Sequence, residues 1–412
     1  MTRRGAVLAL TLAITSLALL ALPGAAGAQT VVASSSQHLA AGLVRTESTV
    51  QVGPGPLDRF QMVRLAKAHP AGHLRGAILF LPPLGSSFAF YEQRDPSGGV
   101  ATSIAGYFAV RGYDVYGYNP RYVGIPAGAC EAGVIDCSAM DGWGLQSMLD
   151  DIAFIRQQIE TLDPGTKVVT GGVSLGGILA VAVANAAPSD YDGVLEWEGM
   201  LASDDSVVQA LNQGYCATEQ AQLAGGILYD GVGPNVFKQV AQAAELAPGG
   251  LNVDPLFPPT LTTHQTLVLL LSVPAPGPVS MPVPDYIDLA GSFADDRFFY
   301  ASEARLFENV GQFNGYAPTR LVRDISCSLA GTETSFDSNL ASFTAPVLAI
   351  GGGHAFGAYM DYQLSLYGSQ DVTFLLTPEF GHIDHFMTPR HRQYVERPIQ
   401  RWVRRVFGPP GR

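Results

Sequence analysis

A serine between glycines is the residue of this sequence best placed to do chemistry. Residues 172–176 read Gly-Val-Ser-Leu-Gly, an apolar run (residues 168–173) leads into them, and an apolar stretch rich in small residues follows. A serine on a tight turn from a strand into a helix takes an unfavourable backbone conformation, so its neighbours must be small. The pattern therefore predicts a nucleophile at Ser174, on a turn between a strand and a helix.

A serine nucleophile needs a base, and a histidine occurs far downstream of it. A serine hydroxyl is weakly nucleophilic at neutral pH, so a base must take its proton during attack. His382, in the segment Phe-Gly-His-Ile-Asp at residues 380–384, could do so if a carboxylate held its tautomer. These two residue types predict nucleophilic catalysis with a carboxylate as the third partner.

With this serine turn and a histidine after the last apolar run, the chain resembles the α/β-hydrolase superfamily. The resemblance covers nearly all of the sequence after residue 28 except an insertion, and it implies the order serine, acid, histidine. It also implies two backbone N–H groups for an oxyanion, one from Leu175. The second comes from residues 82–86, Pro-Pro-Leu-Gly-Ser, which depart from the usual His-Gly start of that loop. Because Pro83 has no N–H, Leu84 is the expected donor.

The acid is not where most relatives of the superfamily have it. They place it within a few residues of the strand at 346–350, but this sequence has no carboxylate there until Asp361. Residues 346–352 look like the epoxide-hydrolase-like and dehalogenase-like branch, part of which has the acid on the preceding strand. That strand ends at Glu198, with Glu196 two residues deeper. We predict Glu198 as the acid. The alternatives are Asp361, Glu196 or a residue of the insertion. If Glu198 is not the acid, its structural role would be to cap a helix or to pair with an arginine.

The elements around these residues alternate between strands and helices, which predicts a mostly parallel sheet with helices on both faces. The predicted strands are residues 49–52 and 60–66 (a hairpin), 76–81, 113–118, 167–173, 193–198, 346–350 and 372–376, and the predicted helices are residues 100–111, 141–161, 175–187 and 390–407.

The alternation is interrupted once, which divides the predicted α/β-hydrolase fold into two core segments and a cap. Residues 29–201 and 344–412 form the core, and residues 202–343, rich in Gly, Pro, Asn and Gln, form a cap over the strand ends. The apolar residues of this cap either line a covered pocket for an acyl or aryl group or form the core of the cap itself; they are Leu267 to Leu271, Phe293, Phe298 and Phe299.

The N-terminus has the pattern of an export signal. Arg3 and Arg4 precede an apolar stretch at residues 6–22 and an Ala-Gly-Ala at residues 26–28, so residues 1–28 are expected to be a secretory signal peptide. A membrane anchor is the alternative, and the residues after the arginine pair fit a twin-arginine signal poorly. We expect a mature protein without a membrane span, in the periplasm or outside the cell. Its four cysteines predict two disulfides, Cys130–Cys137 and Cys216–Cys327.

Composition and spacing exclude several function classes. A formal charge of −12 makes nucleic acid an unlikely ligand. The glycine-rich segments do not match the dinucleotide pattern, and His385, three residues after His382, lacks a third ligand for a metal. No cofactor and no metal are expected. His354 could line the pocket or face solvent.

Together these patterns predict an exported serine hydrolase that cleaves a small-molecule carboxylic ester with an apolar acyl or aryl group, as a carboxylesterase or lipase does. The serine argues against the aspartate-nucleophile chemistry of the similar branch. An aminopeptidase-like hydrolase, with Asp204 and Asp205 or Asp295 and Asp296 holding a substrate amine, is one alternative. A non-catalytic protein that binds an apolar ligand is the other. The sequence does not predict the oligomeric state.

Overall fold

The structure, a computed structural model, describes residues 29–68, 75–95, 98–230, 233–252, 258–272, 287–288, 297–298, 300, 302–311, 313 and 316–408. The predicted signal peptide, residues 1–28, lies outside these ranges. So do Phe293, Asp295, Asp296 and Phe299 of the predicted cap.

A nine-stranded sheet organises the molecule, in the order β1-β2-β3-β5-β4-β6-β7-β12-β13. Strands β5, β4, β6, β7, β12 and β13 are parallel to one another, and β1 to β3 form an antiparallel extension that pairs with β5. The strands, including four two-residue strands outside this sheet, are β1 Thr30–His38, β2 Leu43–Gln51, β3 Arg59–Lys67, β4 Ala77–Leu81, β5 Asp114–Asn119, β6 Val168–Val173, β7 Gly193–Trp197, β8 Tyr229–Asp230, β9 Ile287–Asp288, β10 Arg297–Phe298, β11 Ala317–Pro318, β12 Val347–Gly352 and β13 Val372–Thr377.

Helices cover both faces of the sheet, as the sequence predicts. Alternate residues of one strand enter different cores: Leu79 belongs to the core that includes residues of α3, α4 and α9, and Phe80 to the core that includes residues of α2 and α12. The α-helices are α1 Ala89–Glu92, α2 Ile104–Ala109, α3 Leu145–Leu162, α4 Leu175–Ala186, α5 Ser206–Ala224, α6 Gly233–Leu246, α7 Thr263–Ser272, α8 Glu303–Gly311, α9 Thr319–Leu329, α10 Met360–Ser365, α11 Asp384–Met387 and α12 Arg397–Phe407.

The structure differs from the predicted elements in several places, among them the helix predicted at residues 100–111, which is a 3-10 turn at Val100–Thr102 followed by α2. Strand β1 was not predicted, because its sequence TVVASSSQH is polar and its residues are exposed. Helix α3 begins at Leu145, four residues late, because residues 138–142 form a 3-10 turn. The segment before α12 is a π-helical turn over Arg392–Glu396, so the closing helix has two parts. The segment with His385, predicted as a loop, is the one-turn helix α11.

Both predicted disulfides are present. Cys130–Cys137 closes a short loop, and Cys216–Cys327 joins α5 to α9 across 111 residues of sequence. A cross-link over so long a stretch restricts the unfolded chain strongly, which favours the folded state. Among the described residues, we find no helix with the length and apolar character needed to cross a membrane.

Candidate active site

Ser174 lies where β6 passes into α4, and its backbone is strained. Its φ is 59° and its ψ −122°, a region that residues with a side chain rarely adopt. Among the described residues, Ala41, Ser174 and Glu198 alone combine a positive φ with a side chain. Two of the three thus lie at the ends of neighbouring strands, and such strain concentrates at functional sites.

The glycines around Ser174 are required by close contacts with the neighbouring strand. A Cβ atom added to Gly172 or to Gly176 would lie 2.0 Å from the carbonyl oxygen of Leu81. No side chain fits at that distance, so any other residue would push β6 and α4 away from the end of β4. The glycine pattern of the sequence therefore holds the serine turn against the end of β4.

Glu198 follows the last residue of β7, and its carboxylate is hydrogen-bonded to His382 and to two backbone N–H groups. Its carboxylate is fully buried, and its Oε2 lies 3.1 Å from His382 Nδ1. The N–H of Phe356 donates to Oε2 at 3.3 Å, and the N–H of Gly352 donates to Oε1. Burial raises the pKa of Glu198, while the bonds from His382 and from the two N–H groups act against that rise. The arrangement provides a partner for one nitrogen of the imidazole.

Ser174 and Glu198 belong to the same edge of the sheet. The N–H of Ser174 donates to the carbonyl of Trp197 at 2.9 Å, and the N–H of Glu198 donates to that of Ile350 at 2.9 Å. The ends of β6, β7 and β12 are thereby joined side by side. His382, on the loop after β13, reaches this edge with 21% of its side chain exposed. Among the described residues, the hydrogen bond of the His382 ring is the one from Nδ1 to Glu198, and none joins the ring to the Ser174 hydroxyl.

The two predicted oxyanion donors lie at the start of a helix and in a turn. Leu175 is the first residue of α4, where an N–H has no partner within the helix. Leu84 precedes Gly85, whose φ is 71°, in a turn closed by the bond from Ser86 N–H to Pro83 carbonyl at 3.1 Å. That turn leaves the Leu84 N–H unused. In the described part of the chain, neither N–H has a hydrogen-bond partner.

Three comparisons with known proteins bear on this arrangement. No family model matches the chain, and neither does any curated protein sequence. A crystal structure of a proposed lipase from Sulfolobus solfataricus is 16% identical, with a TM-score of 0.64 over 92% of this chain and 99% of that one. Together with the order of the parallel strands, this similarity decides the architecture. The chain has the α/β-hydrolase fold.

Two other solved structures are similar at lower scores. A thermophilic esterase from Thermogutta terrifontis is 14% identical and covers 91% of this chain and 100% of that one, with a TM-score of 0.46. A peroxisomal α/β-hydrolase from Saccharomyces cerevisiae is 11% identical and covers 92% and 90%, with a TM-score of 0.46.

The alternative acids occupy other places in this α/β-hydrolase fold. Asp361 is exposed in the first turn of α10, with no hydrogen bond to His382. Glu196, inside β7, is fully buried and accepts bonds from the amide of Gln363 and from the hydroxyl of Tyr367 at 3.0 Å. Burial raises the pKa of Glu196 to about 8. The structure thus brings Glu198, and not these two carboxylates, to His382.

The other two histidines near this loop have different surroundings. His385 is buried on α11, and its Nε2 lies 3.1 Å from the hydroxyl of Thr377. Burial, followed by the charge of His382, lowers the pKa of His385 to about 3. His354 is half-buried, and its N–H donates to the carbonyl of Phe380 at 3.0 Å. His385 therefore fits a structural role.

Tyr91 is a residue of the site that the sequence did not indicate. Its buried hydroxyl donates to the carbonyl of Leu81 at 2.7 Å and accepts from the N–H of Val173 at 3.0 Å. It joins the ends of β4 and β6 where the strands diverge toward Leu84 and Ser174. No sequence signal could have found it, since it depends on a contact across 82 residues.

Helix α8 of the inserted segment is fixed beside the loop of His382. Arg305 is 4% exposed, pairs with Asp95 and donates to the carbonyl of Phe386 on α11 at 3.1 Å. Buried His391 lies between Asp95, at 3.2 Å, and Glu396, at 2.6 Å. An unpaired charge would be costly at this depth, so these contacts hold α8 to the core as a unit.

Proposed function

We propose that this chain is an exported serine hydrolase that cleaves carboxylic esters, of the carboxylesterase or lipase type. The observation that carries the proposal is the hydrogen bond between Glu198 and His382 at the edge of the sheet where Ser174 occupies a strained turn. A serine, a histidine and a buried carboxylate in these roles activate a hydroxyl for acyl transfer. The structure with a TM-score of 0.64 is itself described as a proposed lipase, which agrees with this proposal.

In the first half of the proposed reaction, Ser174 Oγ bonds to the ester carbonyl carbon while His382 Nε2 takes the hydroxyl proton. Nε2 is the nitrogen available for this, because Nδ1 faces Glu198. The carbonyl oxygen becomes an oxyanion, which the N–H groups of Leu84 and Leu175 stabilise. The carbon–oxygen bond to the alcohol then breaks, and His382 gives its proton to the departing alcohol.

In the second half, water replaces the alcohol. His382 takes a proton from water as the water oxygen bonds to the acyl carbon, and the same two N–H groups hold the new oxyanion. The bond to Ser174 breaks, the serine regains its proton from His382, and the carboxylic acid leaves. Glu198 stays ionised through both halves and stabilises the imidazolium that forms each time.

We also propose that residues 202–343 act as a cap and that residues 1–28 direct export. The contacts of α8 with α11 and with Asp95 support a cap close to the His382 loop. Two disulfides are consistent with an oxidising compartment, either a periplasm or the outside of the cell. Leu267 and Val268 of the predicted apolar pocket are fully buried in a cluster with α6 and α8, which supports a role in the core of the cap.

The first experiment is covalent labelling by a fluorophosphonate, which reacts with activated serines. We expect the intact protein to be labelled and Ser174→Ala to lose the label. Ser189→Ala, which alters an exposed serine after α4, is the matched control and should label fully. Absence of labelling of the intact protein would favour the non-catalytic binding protein instead.

The second experiment is a substrate panel that separates the esterase from the aminopeptidase alternative. We expect p-nitrophenyl esters to be cleaved and aminoacyl anilides not, because a substrate amine needs a free carboxylate cluster. Asp205, one candidate for that cluster, instead caps α5 by accepting from the N–H groups of Val207 and Val208. Faster cleavage of the anilides than of the esters would replace this proposal with the aminopeptidase.

A further inference from the structure

Gln363 on α10 is fully buried, and its side-chain amide is hydrogen-bonded on both sides. The amide oxygen accepts from the backbone N–H groups of Leu201 and Ala202, the latter at 3.0 Å. The amide nitrogen donates to the carboxyl group of Glu196. Because a backbone N–H can only donate, the amide oxygen must face Leu201 and Ala202, and the NH₂ group then faces Glu196. An amide provides the acceptor and the donor that this position needs.

The two N–H groups belong to the segment that carries the proposed acid. Leu201 is three residues after Glu198 in the sequence. Between them, a Cβ atom added to Gly199 would lie 2.4 Å from the carbonyl oxygen of Ser174, so no side chain fits there. The segment therefore runs directly past the proposed nucleophile, and a displacement of it would move Glu198 relative to Ser174.

Glu198 has a backbone conformation that depends on contacts around it. Its φ is 51°, a value that residues with a side chain rarely adopt. Such a conformation persists only where the surrounding structure determines it. At one end of the segment, the N–H of Glu198 donates to the carbonyl of Ile350 at 2.9 Å. At the other end, Gln363 accepts from Leu201 and Ala202, so the segment is fixed at both ends.

We propose that Gln363 is a positioning residue of the active site, whose amide fixes the segment after β7 so that Glu198 stays in line with His382. Glu196 orients this amide, because its carboxyl group accepts from the NH₂ side. The inference rests on the proposed ester hydrolysis and adds to it a residue that acts through Glu198 and touches neither the substrate nor the reacting atoms.

The experiment measures steady-state hydrolysis of a p-nitrophenyl ester by Gln363→Met, which keeps the length of the side chain and removes both hydrogen-bonding groups. We expect kcat to fall at least tenfold, because Glu198 no longer stabilises the imidazolium of His382 in the right place. KM should stay within threefold, since no substrate contact is lost. Circular dichroism would verify that the variant is folded.

The matched control is Asn185→Leu, which removes a buried amide with the same kinds of partner. Asn185 accepts from the N–H of Asn339 at 2.6 Å and donates to the carbonyl of Ser335 at 2.8 Å. It lies in the last turn of α4, roughly 16 Å along the helix from Ser174. We expect a similar loss of stability and a kcat within a factor of two of the unaltered protein. An equal loss of kcat in both variants would show general destabilisation and would overturn the proposal.

A rescue variant separates positioning from packing. Gln363→Glu/Glu196→Gln exchanges the two groups, so that a carboxylate accepts from Leu201 and Ala202 while an amide donates to it. Its kcat should be within threefold of that of Glu196→Gln alone. A folded double variant no faster than Gln363→Met would overturn the proposal, and so would an undiminished kcat in Gln363→Met itself. If the unaltered protein cleaved no ester, the proposed hydrolysis would fail together with this inference, whereas normal cleavage by both the unaltered protein and Gln363→Met would refute the positioning role alone.

Discussion

The end and the interior of strand β7 each bury a glutamate, and the two carboxylates have opposite surroundings. At the end, Glu198 faces His382 and two backbone N–H groups, those of Gly352 and Phe356. Inside the strand, Glu196 faces two neutral side chains, Gln363 and Tyr367.

The difference follows from where the sheet stops. Within the strand, Glu196 is paired in register with Gly172 on β6 and Ala349 on β12, so the backbone groups around it serve the sheet. At the strand end the chains separate, and N–H groups become available to a carboxylate. Burial raises the pKa of both carboxyl groups, but at the strand end the N–H groups and His382 act against that rise for Glu198.

The largest expected difference between Glu198 and Glu196 is the effect of their substitution on kcat. Glu198→Gln should lower kcat for a p-nitrophenyl ester by about 10⁴, because the amide no longer fixes the tautomer of His382 or stabilises its cationic form. Glu196→Gln should change kcat by less than tenfold, since Glu196 has no contact with His382. Steady-state kinetics with circular dichroism to verify folding would measure both. Equal losses of kcat in the two variants would mean that Glu198 has no special role beside His382.

A second effect concerns stability against pH. Burial raises the pKa of Glu196 from 4.5 to about 8, so the folded protein keeps a proton that the unfolded chain releases. The free energy of unfolding should therefore fall as pH rises from about 4.5 to about 8. The contribution is a few kcal/mol, since each unit of pKa is worth about 1.4 kcal/mol.

Urea unfolding at several pH values would test this, with Glu196→Gln beside the unaltered protein. The variant has no proton to lose at this position, so its stability should decline less over that pH range. Parallel stability curves for the two proteins would mean that Glu196 is ionised in the folded state as well.

A smaller effect is expected at Tyr91, which joins two strand ends on the other side of Ser174. Tyr91→Phe leaves the carbonyl of Leu81 and the N–H of Val173 without this partner, at a cost of about 1–3 kcal/mol in stability. It should also lower kcat roughly tenfold, because the proposed oxyanion donors, Leu84 and Leu175, lose their alignment.

The matched control is Tyr107→Phe, which removes a buried hydroxyl bonded to Gln400 at 2.7 Å, away from these strand ends. We expect it to lower stability to a similar extent and to leave kcat unaltered. If both tyrosine variants lowered kcat alike, the role of Tyr91 would be structural only.

The sequence predicted those parts of the fold that local pattern determines. The apolar runs predicted the strands, and the glycines on either side of Ser174 predicted the serine turn; the structure shows the close contacts that require Gly172 and Gly176. Placing Glu198 beside His382 rested on the resemblance to a branch with its acid on the preceding strand, together with the rule that parallel strands end at the same edge of a sheet.

What the sequence did not predict depends on contacts between distant segments. Tyr91 is hydrogen-bonded to Val173, and Gln363 to Glu196 across 167 residues of sequence. Neither pair has a spacing that a sequence pattern could reveal. Arg305 likewise reaches Asp95 across 210 residues. Strand β1 was missed for the opposite reason, because it is held by pairing with β2 and has no buried face.

In the proposed mechanism Glu198, and not a carboxylate of the usual loop, acts together with Ser174 and His382. The most direct measurement is the rate of fluorophosphonate labelling of Ser174 in Glu198→Gln and in Asp361→Asn, under identical conditions. We expect Glu198→Gln to label at least about 10³ times more slowly than the unaltered protein, because proton removal from Ser174 is impaired. Asp361→Asn should label within a factor of two of it. If Asp361→Asn were labelled slowly and Glu198→Gln at the normal rate, with both variants folded, Asp361 and not Glu198 would be the acid.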